Sequence, residues 1–399
     1  MTANRFLKKW VGIPSRGCTN LSIFHPLMMN IKTPSQLYLE GHAGNYLNCK
    51  LKADSVVQLA IESQLSRESQ WTVKTSTIVQ CDKIFQNVSE NHLVPRSDNC
   101  HNLQSSLASQ TPVLKKAVRQ EVKAIYLDIW TDRVKQLVSQ GNFIQLLESE
   151  HSNVTWKSII YGVPKGVMAF AMRSATNTLA TLDNLKRWKK VSSDSCQMCR
   201  HPGRPLDKAT LHHVLNHCGA FLGEQERFTW RHNSVLSYMT ETLKESIPDN
   251  IHLYADLEDH KVCGGTLPPN IVQTGSRPDL VLVDIGRRTV WLLELTCSFE
   301  SNFEAANKRK KERYEGLATD IEDSGYKCNN LPFEIGSRGY ISLENKSTLT
   351  AVHQLCRPKT KLRQFFQNIS KVSLLCSYSI YLSRNYRDWT NMEFLKPRL

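Results

Sequence analysis

The chain has no long apolar segment. No run of about 18 apolar residues occurs in its 399 residues. Its N-terminus also lacks a charged stretch followed by an apolar stretch and a small-residue cleavage site. We therefore expect neither a membrane-spanning nor a secreted protein, and no membrane partner. The 12 cysteines are spread from Cys18 to Cys376, too sparsely for a disulfide scaffold, which predicts a reducing compartment where tight cysteine clusters bind metal.

Negative charge is also scarce. Lys and Arg number 51 against 37 Asp and Glu, which gives a formal net charge of +14. This balance favours a polyanionic partner, and nucleic acid is the leading candidate. One basic segment surrounds an aromatic residue and suits a phosphate backbone with a stacking contact; its candidate nucleic-acid-binding residues are Lys186, Arg187, Trp188, Lys189 and Lys190. A helix with a buried tryptophan and solvated charges explains the same pattern.

Apolar spacing predicts a mostly helical N-terminal half. Residues 88–112 are polar and rich in Ser and Asn, which predicts a flexible linker. A long amphipathic helix is predicted over Val113–Gln140, with Gly141 as its C-terminal cap. Shorter helices are predicted at 163–179, at 303–317, after Asn345 and at 362–381. The last of these is interpreted as a C-terminal tail of unknown role.

A compact pattern predicts a zinc module with the ligands Cys196, Cys199, His213 and Cys218. The first two thiolates are two residues apart and can bind one ion from a tight turn. Because Cys218 lies about 140° around a continuous helix from His213, we expect it at a frayed helix end capped by Gly219. Four protein ligands leave no open position, which predicts a structural Zn²⁺. Chance grouping is the competing explanation, and the alternative ligands are His212 and His217.

Two carboxylates are predicted to face each other on a β-hairpin. Runs of β-branched and apolar residues flank Gly286-Arg287, a hairpin signal with glycine at the first central turn position. If this dipeptide forms the turn, counting outwards along both strands places Asp279 opposite Glu294. Their Cβ atoms would then be about 4.5–5.5 Å apart, close enough to share one divalent cation.

Other interpretations of these acids exist. Asp284 is a competing acid, but two-residue alternation places it on the opposite face from Asp279 and makes it a turn residue. Alternatively, Asp279 merely begins a strand and Glu294 protects an edge strand from aggregation. Against this view, Glu294 lies within an apolar run, where a buried acid needs a partner.

The spacing from Pro278-Asp279 to Glu294 resembles the PD-(D/E)xK nuclease signature. This resemblance implies that the two acids hold Mg²⁺, while a lysine two residues after the second acid positions or activates water. Thr296 stands at that position here, so the lysine has to come from the helix predicted at 303–317. Such a displacement is a known variation in this family. The resemblance implies Lys310, with Lys308 and Lys311 as alternatives.

Taken in order, the motifs resemble the C-terminal region of non-LTR retrotransposon proteins that carry a restriction-like endonuclease. The resemblance covers about residues 156–340. It rests on the zinc pattern, Arg231-His232-Asn233, Arg277-Pro278-Asp279, Glu294, Lys310-x2-Arg313-Tyr314 and Phe333-Glu334-Ile335-Gly336-Ser337-Arg338-Gly339. It implies that Asp279, Glu294 and Lys310 are catalytic and that Arg231 and His232 contact nucleic acid. A packed helix with an exposed arginine explains the last two residues equally well.

The fold class expected from these patterns is α/β (α+β), with a helical N-terminal half, a small zinc module and a restriction-endonuclease-like core. Six segments are predicted: a helical remnant resembling the post-polymerase region at 1–87, the linker at 88–112, a helical linker with the basic segment at 113–195, the CCHC zinc module and adjoining helix at 196–235, the PD-(D/E)xK core at 236–345 and the helical tail at 346–399.

A reverse transcriptase requires a Tyr-x-Asp-Asp turn, and this sequence has none; Tyr254-Ala255-Asp256-Leu257 ends in leucine. The sequence therefore predicts a Mg²⁺- or Mn²⁺-dependent nickase that cuts double-stranded DNA to prime reverse transcription, without polymerase activity of its own. Element RNA is a second candidate partner, and nuclear localisation after cytoplasmic synthesis is expected. The alternative hypothesis is a catalytically inactive zinc- and nucleic-acid-binding fragment or scaffold protein.

Overall fold

The chain forms two compact units. The computed structural model describes residues 3–12, 23–51, 54–66, 77–92, 103–149, 158–159, 162–199, 207–224 and 226–386. The smaller unit is Thr19–Leu137, and the larger unit combines Met1–Cys18 with Val138–Leu399. Helices predominate, and one four-stranded mixed sheet lies in the larger unit, in agreement with the expected α/β (α+β) class. Along the described ranges, no helix is both long enough and apolar enough to cross a membrane.

The smaller unit is helical. Helix α1 (Ala3–Val11) belongs to the larger unit, and the smaller unit contains α2 (Pro34–Lys50), α3 (Ser55–Leu65), α4 (Thr77–His92) and α5 (Leu103–Lys135). The Thr33 hydroxyl accepts a hydrogen bond from the Gln36 N–H at 3.1 Å and caps α2. The helices pack through a shared apolar core that includes Leu47, Ile84 and Val122, so burial of one apolar face holds each helix in place.

The predicted linker and long helix need correction. Residues 88–92 end helix α4, and residues 103–112 already belong to α5, with Pro112 inside the helix; residues 93–102 lie outside the described ranges. Polar composition does not exclude a helix, because Ser and Gln have only modest helix penalties. Helix α5 ends at Lys135, so Gly141 is not its cap. Arg133 and Lys135 in its last turn instead complement the helix dipole.

The larger unit holds the remaining elements. Its helices are α6 (Asn142–Ser149), α7 (Lys165–Ala175), α8 (Leu182–Arg187), α9 (Arg227–Lys244), α10 (Phe303–Arg313), α11 (Glu315–Asp323), α12 (Leu343–Cys356) and α13 (Leu362–Leu382). Two π-helical turns, His213–His217 and Gly219–Gly223, precede α9. The helices predicted at 163–179 and 362–381 are therefore present with slightly different ends, and the one predicted at 303–317 divides at Tyr314 into α10 and α11.

The sheet has the order β1-β2-β3-β4. Its strands are β1 (Ile251–Ala255), β2 (Leu280–Asp284), β3 (Thr289–Thr296) and β4 (Lys327–Glu334). Strands β1, β2 and β3 pair in antiparallel fashion, and β4 pairs with β3 in parallel. A parallel neighbour requires a crossover connection, and helices α10 and α11 provide it.

The two faces of the sheet are covered by different helices. Leu282 and Leu293 share a core with residues of α9, α12 and α13, including Leu236 and Ile369. On the other face, Val281 packs with residues of the α10–α11 segment. Since side chains alternate along a strand, Asp279 and Glu294 belong to this second face.

Two further predicted segment boundaries fall within helices. The boundary at 235/236 lies inside α9, and the boundary at 345/346 lies inside α12. The predicted tail is part of the core, because α13 packs on α9 and contributes buried residues to the same cluster as the sheet. Burial against the sheet explains why α13 is so apolar, which its terminal position in the sequence did not reveal.

Candidate functional site

The hairpin of β2 and β3 brings two carboxylates together. Leu280 pairs with Leu293 and Asp284 with Thr289, so the strand register is the predicted one and Asp279 lies one step beyond β2, opposite Glu294. The Asp279 N–H donates to Glu294 Oε2 at 3.1 Å, and the Leu295 N–H donates to Asp279 Oδ2 at 2.8 Å. Both acids are buried. Each carboxylate is therefore held by the main chain of the opposite strand.

The turn of this hairpin differs from the predicted one. The residue with a positive φ is Arg288, at 45°, whereas Gly286 is not in the left-handed region. The loop of residues 285–288 has an even length, which preserves the register although the expected turn chemistry is absent. Asp284 is a turn residue, since its Oδ1 accepts a hydrogen bond from the Arg287 N–H at 2.9 Å.

Helix α10 lays one face over the acids. Asn307, Lys310 and Tyr314 recur at helical spacing, and all three reach the sheet or the residues that lead into it. Lys310 Nζ donates to Glu294 Oε1, and the Tyr314 hydroxyl donates to the Arg277 carbonyl at 3.2 Å. Lys308 and Lys311 point elsewhere: both are exposed, and Lys308 lies 3.9 Å from Glu312. Of the three candidate lysines, Lys310 is the one that meets the acid pair.

Sequence reasoning did not place His232 in this cluster. Its Nε2 lies 3.1 Å from Asp279 Oδ2, and its Nδ1 lies 3.0 Å from Asn233 Oδ1. Burial alone would lower the pKa of His232, but the hydrogen bond and the charge of Asp279 outweigh burial and raise it. His232 thus belongs to the acid cluster. The Arg-His-Asn motif pointed to His232 in the sequence. The contact with Asp279 was not predicted, because the two residues are far apart in the chain.

Burial and the neighbouring Asp279 carboxylate both raise the pKa of Glu294. Burial is the larger cause that raises its pKa, the Asp279 carboxylate adds to it, and the Lys310 ammonium opposes both. Two carboxylates this close favour a cation between or beside them. Among the described residues, the Lys310 ammonium supplies a positive charge to Glu294, and the His232 imidazole lies against Asp279.

A third buried acid, Glu334, lies on the same face. It pairs with Thr296, the residue at the lysine position of the nuclease signature. Asn307 Nδ2 donates to Glu334 Oε2 at 3.4 Å, whereas Glu334 Oε1 and Thr296 Oγ1 are buried with no hydrogen-bond partner among the described residues. Burial raises the pKa of Glu334 to about 7. This residue was not predicted, because its neighbours Thr296 and Asn307 belong to other elements and β4 has no regular alternation of apolar residues.

Glu334→Gln is expected to change the pH dependence of stability. A raised folded-state pKa means that the acid's contribution is fully present below the unfolded pKa of about 4.5 and is lost as the pH rises through about 7. Between about pH 4 and pH 8 the variant should therefore gain about 2–3 kcal/mol relative to wild type. Urea unfolding at both pH values measures this gain, with the exposed Glu258→Gln as control; parallel pH profiles for Glu334→Gln and wild type would contradict it.

Four further side chains converge before α9. The ligand atoms of Cys196, Cys199, His213 and Cys218 all lie within 4.8 Å of one another. The Cys196 and Cys218 sulfurs are 3.9 Å apart, those of Cys199 and Cys218 3.3 Å, and Cys199 Sγ lies 3.4 Å from His213 Nε2. Tetrahedral Zn²⁺ with Zn–S bonds of about 2.3 Å places sulfurs about 3.8 Å apart. The cluster can therefore hold a metal ion such as zinc.

The helix geometry that unites His213 and Cys218 was not predicted. The Cys218 N–H donates to the His213 carbonyl at 2.9 Å, an i to i+5 hydrogen bond that defines a π turn. This wider turn brings residues five apart closer to one side than an α-helix does. Cys218 lies at the end of the first π turn in an extended conformation, as expected of a helix end, but Gly219 begins the second π turn and does not cap the first.

Neighbouring groups orient this cluster. Main-chain hydrogen bonds join Cys196 to Asp207 and Ala209 to Asp194, at 2.7 and 2.8 Å, and so fix the Cys-x-x-Cys segment. Asp207 Oδ2 lies 3.8 Å from His213 Nδ1, on the side of the ring away from the thiols, as in carboxylate–histidine–metal arrangements. A hydrogen bond from the Cys218 thiol lowers the pKa of Cys196 to about 3, which favours a thiolate.

The alternative histidines lie outside the cluster. The His212 ring is 4.9 Å from that of Phe299, and its Nε2 lies 3.3 Å from the Asn302 amide. His217 is exposed and lies beside His212, with ring centroids 5.6 Å apart. His213 is the histidine that the structure brings to the three cysteines.

The predicted nucleic-acid contacts are only partly on the surface. Lys186 is bound to Asp194 at 2.7 Å, and Arg187 to Ser139 at 2.6 Å, although both side chains are largely exposed. Trp188 is half-buried at the end of α8. Lys189 and Lys190 are exposed, so they are the members of this segment that a phosphate backbone can reach most readily.

Arg231 is not a surface contact. Its side chain is fully buried, donates to Ser377 Oγ at 3.1 Å and to the Cys297 carbonyl at 3.0 Å, and lies over the Phe228 ring. The expectation that Arg231 contacts nucleic acid is therefore wrong. Adjacent helix positions point about 100° apart, so Arg231 enters the core while His232 meets Asp279.

The donor set of the hairpin suits a divalent cation. Carboxylate oxygens are the ligands that Mg²⁺ and Mn²⁺ take, and Asp279 and Glu294 supply them from facing strands. No protein-family model matches the chain, and no curated protein is significantly similar to it.

Proposed function

We propose that this chain is a metal-dependent DNA endonuclease, a nickase, from the C-terminal region of a non-LTR retrotransposon protein. One observation carries the proposal: Asp279 and Glu294 converge from facing strands, and Lys310 of α10 binds Glu294. That is the arrangement implied by a PD-(D/E)xK site whose lysine is displaced to the following helix. The mixed sheet with its crossover helices supports a restriction-endonuclease-like core.

Asp279 and Glu294 would hold the catalytic ion, Mg²⁺ or Mn²⁺. Such an ion lowers the pKa of water and stabilises charge on the phosphate when it is bound. Lys310 lies beside Glu294 and would orient the attacking water or offset the developing charge. Thr296 carries no ammonium, so the helix has to supply one.

Zn²⁺ is proposed as the ion of the Cys196, Cys199, His213 and Cys218 cluster. Four protein ligands leave no open coordination position, so its role is structural. The exposed Lys189 and Lys190 and the net charge of +14 favour binding to double-stranded DNA, with element RNA as a second candidate partner. Nuclear action would follow from a DNA target.

A plasmid-nicking assay tests the proposal. Zinc-loaded protein is mixed with supercoiled plasmid in Mg²⁺, in Mn²⁺ and in EDTA, and open-circle product is quantified. We expect nicking with either ion and none with EDTA. DNA binding without nicking under any of these conditions would instead support the alternative, an inactive zinc- and nucleic-acid-binding scaffold, which the threonine at position 296 favours.

Lys310→Ala is expected to lower the nicking rate by about 10²-fold or more, the usual size of such a contribution. Lys308→Ala is the matched control, since Lys308 lies on the same helix but is exposed and paired with Glu312. Single-turnover rates and DNA affinity should be measured for both. Equal rates for the two variants would remove Lys310 from the mechanism.

A further inference from the structure

His232 offers a nitrogen donor beside the proposed catalytic ion. Its Nε2 lies 3.1 Å from Asp279 Oδ2, and its side chain is 16% exposed. Two lone-pair donors at this distance need a cation, either a proton or a metal ion, between or beside them. In an octahedral site with bonds of about 2.1–2.2 Å, adjacent ligand atoms are separated by about 3.0 Å. The observed distance therefore fits two neighbouring ligands of one ion.

Asn233 sets the orientation of the ring. Its Oδ1 lies 3.0 Å from His232 Nδ1, which favours the tautomer with the proton on Nδ1 and leaves the Nε2 lone pair facing Asp279. Histidines that bind metals are commonly fixed in this way through their second nitrogen. The three residues of the Arg-His-Asn segment therefore act in different places. Arg231 anchors α9 in the core, His232 faces the acids, and Asn233 orients the imidazole ring.

We propose that His232 is a ligand of the catalytic ion and gives the site a preference for Mn²⁺ over Mg²⁺. This inference rests on the proposed function. Imidazole suits the first-row transition ions, whereas Mg²⁺ strongly favours oxygen ligands. A site with the two carboxylates alone would lack the preference for Mn²⁺ over Mg²⁺ that a nitrogen ligand provides. His232 thus selects the metal, and Asn233 is a positioning residue that acts through it.

The test measures metal binding rather than activity. Protein whose cysteine cluster is loaded with zinc is titrated with Mn²⁺ and with Mg²⁺, and bound Mn²⁺ is examined by electron spin echo envelope modulation for ¹⁴N coupling. Wild type should show ¹⁴N coupling and a clear preference for Mn²⁺. His232→Gln should lose the coupling and bind Mn²⁺ about 10-fold or more weakly, with little change for Mg²⁺. The exposed His252→Asn on β1 is the control and should match wild type.

Each other outcome contradicts a distinct claim. Mn²⁺ bound to wild type without ¹⁴N coupling overturns the assignment of His232 even if the variants misfold, and it leaves the nuclease proposal standing. If folded His232→Gln still prefers Mn²⁺ over Mg²⁺, the assignment of His232 as a ligand is likewise overturned, and the nuclease proposal stands. If wild type and Asp279→Asn bind both ions equally, the acid pair is not a metal site and both proposals fail. Asn233→Ala should weaken Mn²⁺ binding less than His232→Gln does and should retain the ¹⁴N coupling.

Discussion

Asp279→Asn should lower metal-dependent nicking by about 10³-fold or more, equivalent to about 4 kcal/mol of transition-state stabilisation. Asparagine keeps the shape of the side chain and can still accept the hydrogen bond from the Leu295 N–H. It removes the negative charge that would hold the ion. The loss should therefore appear in the chemical step, with the fold and DNA affinity largely unchanged.

Asp284→Asn is the matched control for this variant. Asp284 is a buried acid on the same hairpin, and its hydrogen bond to the Arg287 N–H can survive the change. Its carboxylate belongs to the turn and not to the acid pair. Single-turnover nicking in Mn²⁺, together with circular dichroism, compares the two variants. Full activity of Asp279→Asn, or an equal loss in both, would mean that the acid pair does not hold the catalytic ion.

Cys218→Ser is expected to abolish stoichiometric zinc binding and to cost several kcal/mol of stability. Structural zinc supplies about 10–16 kcal/mol in isolated zinc-finger peptides, and a module embedded in a larger unit should depend on it less. Zinc content by mass spectrometry and thermal unfolding measure the effect. Wild type should carry about one ion per chain, the number that a single closed cluster can hold.

Two controls isolate this cluster. Cys263→Ser changes an exposed free cysteine and should leave zinc content unchanged. His213→Asn should resemble Cys218→Ser, whereas the exposed His217→Asn should resemble wild type. Equal zinc content in His213→Asn and wild type would show that another residue completes the site.

The sequence predicted most where short-range spacing determines which side chains lie together. Any even-length loop centred on Gly286-Arg287 places Asp279 opposite Glu294 whatever its turn type, and alternation along β2 and β3 puts both acids on one face. The spacing of Cys196, Cys199 and His213 likewise identified side chains that the fold brings together and that can hold a metal ion. In both cases the relevant partners are close in sequence or belong to one hairpin.

The sequence predicted least where contacts between residues far apart in the chain determine where a side chain lies. His232 and Arg231 are neighbours on α9, yet one meets the acid pair and the other is buried against α13 and Cys297. Neither partner is local, so no spacing rule could separate them. The π turns on either side of Cys218 also have no signal in the spacing of apolar residues.

The carbonyl of Cys297 links the π turn of the cysteine cluster to the strand that carries Glu294. It accepts hydrogen bonds from Asn216 in the first π turn, at 2.9 Å, and from Arg231 of α9, at 3.0 Å. Cys297 is only three residues beyond Glu294, at the end of the strand that carries this acid. If the cluster holds zinc as proposed, loss of the ion would free the π turn that presents Asn216 to the end of the strand carrying Glu294. In the proposed nuclease, the cysteine cluster would thereby be coupled to the acid pair through one carbonyl.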